Sequence, residues 1–204
     1  MITVNAQELW TRSGQTLDVQ MDEGICLALA HEWCTLQTLR QYNALSLFFS
    51  RRMPGMHRLF SFQRGFNLVS DSLSANAAYA NFYQIDETLT HNMITRDGRR
   101  SGVLVQRSLH TANENQVANL LNYIHQGDIY LLGFWGVENG ENWGHATAVG
   151  WPANKANAYF FDPNEGLSKE TATIAIGTDV VQSIDNDYDL NDINDFVLYR
   201  YERL

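Results

Sequence analysis

Residues 22–33, Asp22-Glu23-Gly24-Ile25-Cys26-Leu27-Ala28-Leu29-Ala30-His31-Glu32-Trp33, read as a turn feeding an apolar helix. Gly24 lets the backbone turn sharply, and Asp22 or Glu23 suits the helix N-terminus as a cap or as a charge facing the dipole. Ile25, Leu29 and Trp33 recur at helical spacing, as do Leu27 and Ala30, so much of the helix circumference is apolar. Such a helix has to be buried, and the other elements must be arranged around it. It is predicted to run over residues 24–41 and carries a cysteine in its first turn. A thiol there meets the positive end of the helix dipole and unpaired backbone N–H groups, both of which favour thiolate. On this stretch alone Cys26 better fits the description of a small core cysteine, because free cysteine is among the most buried residue types. The rest of the chain has to decide between the two.

A chain of 204 residues, 45% hydrophobic and 18% charged, is expected to form one globular domain over residues 1–204. A formal net charge of -9 argues against nucleic acid as a partner, since phosphate binding needs clustered Lys and Arg. It is compatible with a basic protein substrate. With only Cys26 and Cys34, a disulfide framework is not expected and a reducing working environment is. The two cysteines lie on one helix, roughly 12 Å apart along it, too far to bridge. The N-terminal residues lack the basic and apolar regions of a signal peptide, and no apolar run approaches the roughly 20 residues of a membrane span. No integral membrane segment is therefore expected.

After a lead-in over residues 1–20, the opening helix is followed by an apolar stretch at residues 44–49, and Asp71 to Tyr83 suggests a further helix. Thr95 to Gly102, rich in Arg and Gly, reads as a turn or loop. Thr111-Ala112-Asn113-Glu114 has capping-box form, with Val117, Leu120, Leu121 and Ile124 at helical spacing until Gly127. Beyond it, Asp128 to Phe134, Gly144 to Trp151, Ala158 to Phe161 and Phe196 to Tyr201 are short β-branched or aromatic runs. The predicted class is α+β, with N-terminal helices packed on a C-terminal antiparallel sheet. Asp185, Asp187 and Asp189 begin like a calcium loop, but Leu190 stands where that loop needs Gly and Phe196 where it needs Glu. A solvated acidic turn or helix cap is the better reading.

Among six histidines, His145 has the most informative surroundings, in Trp143-Gly144-His145-Ala146-Thr147-Ala148-Val149 near the start of a predicted strand. Ala158-Tyr159-Phe160-Phe161-Asp162-Pro163-Asn164-Glu165-Gly166 is a strand ending in Asp before a turn. Two antiparallel neighbours joined by a turn at Pro152 to Lys155 would bring His145 near Asp162, whose carboxylate would orient the imidazole. The order Cys26, His145, Asp162 then describes a nucleophile, a base and an orienting carboxylate. An oxyanion would be met by the Cys26 backbone N–H and by the side-chain amide of Gln20, six residues earlier. His31 is expected to be packed or exposed rather than catalytic, and Glu32 to lie on the helix surface. Trp135, Trp143 and Trp151 are expected to pack the sheet, with Trp143 also placed to shape a cleft. The remaining histidines lack metal-ligand spacing, so neither a metal nor a cofactor is called for.

The blocks Gly24 to Trp33, Gly144 to Ala148 and Tyr159 to Gly166 together resemble the YopT/AvrPphB type of cysteine protease effector. The resemblance implies a papain-like fold, with Cys26 as nucleophile, His145 as base and Asp162 as orienting residue. Gln20 stands at the papain-like oxyanion spacing, where some members of that family use an Asn slightly closer to the cysteine. It further implies a bacterial effector or toxin, made in the bacterial cytoplasm, secreted by a route without a signal peptide and acting in the cytoplasm of a target cell. Its partners would be a protein substrate there and a chaperone or immunity protein. The same three residues would also serve a glutamine deamidase, a transglutaminase or a peptidoglycan amidase, and an inert binding module could keep the scaffold alone.

Overall fold

A computed structural model describes residues 26–41, 56–74, 82–171 and 175–204. In the strand Ile129–Glu138 (β2), the residues from Ile129 to Gly136 are all buried, so both of its faces are covered. Side chains alternate across a strand, which sends Ile129, Leu131 and Trp135 into one apolar cluster and Tyr130, Leu132 and Phe134 into another. The strand Ile193–Arg203 (β6) divides in the same way, with Val197, Tyr199 and Tyr201 facing the first cluster and Phe196 and Leu198 the second.

Around this pair the sheet is completed by Val103–Thr111 (β1), Glu141–Gly150 (β3), Asn157–Asp162 (β4) and Gly166–Thr171 (β5). The order is β1-β6-β2-β3-β4-β5, every neighbouring pair antiparallel. The helices Cys26–Thr38 (α1), Met56–Ser74 (α2) and Phe82–Ser101 (α3) supply the first cluster through residues such as Leu29, Trp33, Leu59 and Ile94. The helices Glu114–Asn122 (α4) and Ile176–Tyr188 (α5) supply the second through Val117, Leu121, Val180 and Ile184. The class is α+β, as the residue patterns predict, but helices cover both faces of the sheet. A second helical layer is what two-sided strands such as β2 require.

Helix α1 is the most enclosed element, with every residue from Cys26 to Gln37 buried. Its two ionisable members besides the cysteines, His31 and Glu32, are paired. His31 bonds the Tyr201 hydroxyl at 2.6 Å and Asp97 at 3.1 Å, while Glu32, contrary to a surface role, is buried against Arg58. Arg58 also reaches Asp97 at 2.8 Å, so α1, α2 and α3 share one charged network. Thr95 to Ser101 is not a turn or loop but the end of α3. Gly98 serves close packing there, since a Cβ would lie 2.8 Å from Val105 Cγ2. The turn itself falls at Gly102, with φ of 88°.

Three other local readings change. The cap of α4 is Asn113, whose side chain accepts from the Asn115 N–H at 2.9 Å, while Thr111 ends β1. That helix stops at Asn122, before Gly127. The β2–β3 hairpin turns on Asn139 and Gly140, both at positive φ. Residues 1–25, 42–55, 75–81 and 172–174, which include Gln20, the stretch 44–49 and part of the helix suggested over 71–83, lie outside the described residues.

Candidate active site

The ladder between β3 and β4 covers only Ala148–Phe161, Val149–Phe160 and Gly150–Tyr159. Past its end β3 carries His145 and β4 carries Asp162. A turn with Lys155 N–H bonded to the Pro152 carbonyl at 2.9 Å returns the chain from β3 towards β4. His145 Nε2 lies 3.0 Å from Asp162 Oδ1. Cys26, at the start of α1, is hydrogen-bonded to the His145 side chain and accepts from the backbone N–H of Ala146. The structure thus brings Cys26, His145 and Asp162 into one chain of contacts. All three are buried, but Cys26 and His145 each keep 8% exposure and line a cavity of about 380 Å³.

Burial alone would push the Cys26 thiol up; the His145 charge and hydrogen bond and the Ala146 N–H overcome it and leave the thiol below its ordinary value of 9.0. Burial pulls His145 down, yet the Cys26 sulfur and Asp162 raise it from 6.5 to about 10. Asp162 is lowered against its own burial by His145, by the Asn164 N–H at 2.8 Å and by the Tyr188 hydroxyl. An ionised carboxylate only accepts, so His145 Nε2 carries the proton between them. The ring's other nitrogen is left for sulfur. These directions agree on a thiolate–imidazolium pair.

Helices α2 and α3 form one wall of the cavity with Gln63, Asn67, Ser70 and Asp86, and Trp135, Trp143 and Gly144 form part of the other. Gln63 Oε1 accepts the Ala28 N–H at 3.0 Å, which satisfies one of the unpaired donors in the first turn of α1. Trp143 lines the cavity and packs on Phe134 at 6.0 Å, so it has both roles read for it. Trp135 is a core residue that reaches the same cavity, and Trp151 packs against the second core. His31 and His110 are engaged elsewhere, with Asp97 and Asp195 respectively. Among the described residues no group of His, Cys, Asp and Glu is placed to hold a metal ion.

Sequence reasoning missed Gln63 and Tyr188. No local signal marks Gln63, which acts through a contact 35 residues away. Tyr188 was legible, because Ile176, Val180, Ile184 and Tyr188 repeat every four residues on one helix face. The run of Asp around it reads instead as a solvated acidic turn or helix cap. In the structure those acids cap the chain: Asp185 Oδ1 accepts from the Leu190 N–H and Asp189 Oδ1 from the Asn191 N–H.

A buried helix bearing a cysteine, set beside an antiparallel sheet that carries His and Asp on neighbouring strands, is a papain-like arrangement of the α+β class. The crystal structure of the Pseudomonas avirulence protein AvrPphB is similar to this chain, with a TM-score of 0.56 over 93% of this chain and 98% of that one. The two are 17% identical, and the likeness is one of fold. No protein-family model matches the sequence, and no curated protein matches it.

Proposed function

We propose that this chain is a cysteine peptidase that cleaves a peptide bond in a specific protein substrate, with Cys26 as nucleophile, His145 as base and Asp162 as the residue that orients it. The single observation that carries this reading is His145, bonded at once to the Cys26 sulfur and to Asp162 at the edge of an open cavity. The Cys26 thiolate attacks the carbonyl carbon of the scissile amide, and negative charge collects on the carbonyl oxygen. The Cys26 backbone N–H and the side chain of Gln20 are the donors proposed for that oxygen. As the C–N bond breaks, His145 gives its proton to the leaving amine, and a thioester remains on Cys26. His145 then takes a proton from water, which attacks the thioester and frees the new carboxyl end.

We read residues 1–204 as one such domain, since the described strands form a single sheet on which the described helices pack. The fold likeness to an avirulence protein supports a bacterial effector; we propose that it is made in the bacterial cytoplasm, leaves without a signal peptide and acts in a target cell's cytoplasm, with a chaperone or immunity protein as a further partner. Among the described residues no helix is long and apolar enough to cross a membrane.

Substrate trapping with Cys26→Ser in target-cell lysate, followed by incubation of the captured protein with wild type, tests the reading. Chain cleavage by wild type and its loss in Cys26→Ala and His145→Ala are expected. Full cleavage by either variant would remove the mechanism, and a mass change of deamidation without cleavage would transfer the same residues to a glutamine deamidase.

A further inference from the structure

Helix α5 ends at Tyr188, and the next residue, Asp189, takes φ of 47°, which turns the chain away and leaves the tyrosine at the helix tip. Its ring stacks on His145 with centroids 4.8 Å apart and planes at 28°. Trp143 stacks behind it at 6.0 Å, and Phe134 meets both the tyrosine and the histidine edge-on, at 5.3 Å and 5.4 Å. The hydroxyl lies 3.0 Å from His145 Nε2 and donates to Asp162 Oδ2 at 3.2 Å. It accepts in turn from Asn164 Nδ2 at 3.0 Å.

We propose that Tyr188 is a positioning residue for the His145–Asp162 pair, its ring covering the imidazole and its hydroxyl holding the carboxylate in the orientation that faces Nε2. The proposal rests on the peptidase reading above. Asp162 has four lone-pair sites and three described donors: His145, the Asn164 N–H and the Tyr188 hydroxyl. Without the third donor, Oδ2 is left to solvent or turns away, and the carboxylate loses part of what keeps it ionised. Without the ring, water reaches the hydrogen bond that fixes the imidazole. The acidic run over residues 185–195 thereby acquires a purpose, since its capping bonds end α5 and aim this side chain.

The titratable groups that face the hydroxyl are Asp162 on β4, His145 on β3 and Cys26 on α1; the exposed Asp187 feels the charges of Asp162 and His145. The test is the pH profile of Cys26 alkylation by iodoacetamide, with the carboxamidomethyl mass located by peptide mapping. In Tyr188→Phe, which keeps the stacked ring, the acid limb of the profile is expected to move up by about half to one pH unit, with the alkaline limb unchanged. Asn164→Ala leaves the hydroxyl in place and is expected to move the limb less. On any peptide that wild type cleaves, Tyr188→Phe is expected to lower kcat about threefold to tenfold at constant KM.

A Tyr188→Phe profile superimposed on wild type would overturn the proposal, whatever happens to thermal stability. Should Tyr188→Phe fail to fold, an Asn164→Ala profile identical to wild type would overturn it as well. A wild-type Cys26 that titrates like an ordinary thiol would sink the peptidase reading and this one together. An activated Cys26 with an unmoved limb sinks this one alone.

Discussion

A thiol enclosed by apolar side chains titrates high, and Cys34 does so, pushed well above 9.0 by burial on the same helix that carries Cys26. Cys26 is also buried, with 8% exposure against 0% for Cys34, yet the His145 charge and hydrogen bond and the Ala146 N–H turn its shift the other way. The two cysteines are therefore an internal comparison of the same chemical group with and without a cation. Iodoacetamide at mildly acidic pH is expected to label Cys26 and leave Cys34 unmodified, as peptide mass mapping would show. The reciprocal effect is on His145, raised to about 10 against its own burial, with the Cys26 charge the largest of the raising causes. In Cys26→Ala that cause is gone while burial stays. The imidazole, followed by NMR with labelled histidine, is expected to titrate below about 10 in the variant. An unchanged titration would mean that sulfur and imidazole are not coupled.

At the scale of elements, the site depends on how helices are held against a sheet. Helix α1 is buried on all sides and is held at its start by Gln63 and at its middle by the His31–Asp97–Arg58–Glu32 network. Helix α5 approaches α4 so closely that a Cβ on Gly177 would sit 2.0 Å from the Ala118 carbonyl oxygen, and the Gly177 N–H bonds Asn122 Oδ1 at 2.8 Å. Backbone cannot yield as a flexible side chain does, so Gly177→Ala has to separate the two helices. The expected cost is about 1–3 kcal/mol, read as a lowered urea midpoint at unchanged slope. Because α5 ends at Tyr188, the same substitution is expected to disturb the stack on His145. A Gly177→Ala protein with wild-type stability would show that this contact does not set the spacing.

Across the whole molecule, the cleft lies where the two cores meet. Cys26 and Ala146 belong to the first cluster, Phe134 to the second, and His145 contacts residues of both. Site electrostatics therefore bear on global stability. His145 has a folded value above its ordinary 6.5, so its contribution is fully present below about 6.5 and is lost as pH rises through about 10. Asp162 is shifted down from 3.8, so its contribution is present above 3.8 and is lost as pH falls through its lowered value. The urea midpoint of wild type is expected to fall as pH rises through about 10, and that of Cys26→Ala to fall less over the same range. Parallel curves would contradict the pairing.

Much of this was legible without coordinates. Apolar periodicity marked α1, the core of α4 and the central strands, and the turn at Pro152 to Lys155 implied that His145 and Asp162 are neighbours. Asn139-Gly140, between two apolar runs, was a hairpin signal that went unread. The sequence predicts a turn or loop around Gly98 because it shows that a side chain is missing, not what occupies the space. Glu32 was placed on a surface because its partner Arg58 lies on another helix. By itself the chain determined α1, α4 and the central strands, since periodicity and capping are local, and which residue types were available for thiol chemistry. Only the tertiary structure decided that helices cover both sheet faces, that a histidine rather than apolar neighbours sets the state of Cys26, and that Tyr188 lies over the imidazole. Those outcomes depend on distances between residues far apart in the chain, which no local pattern encodes.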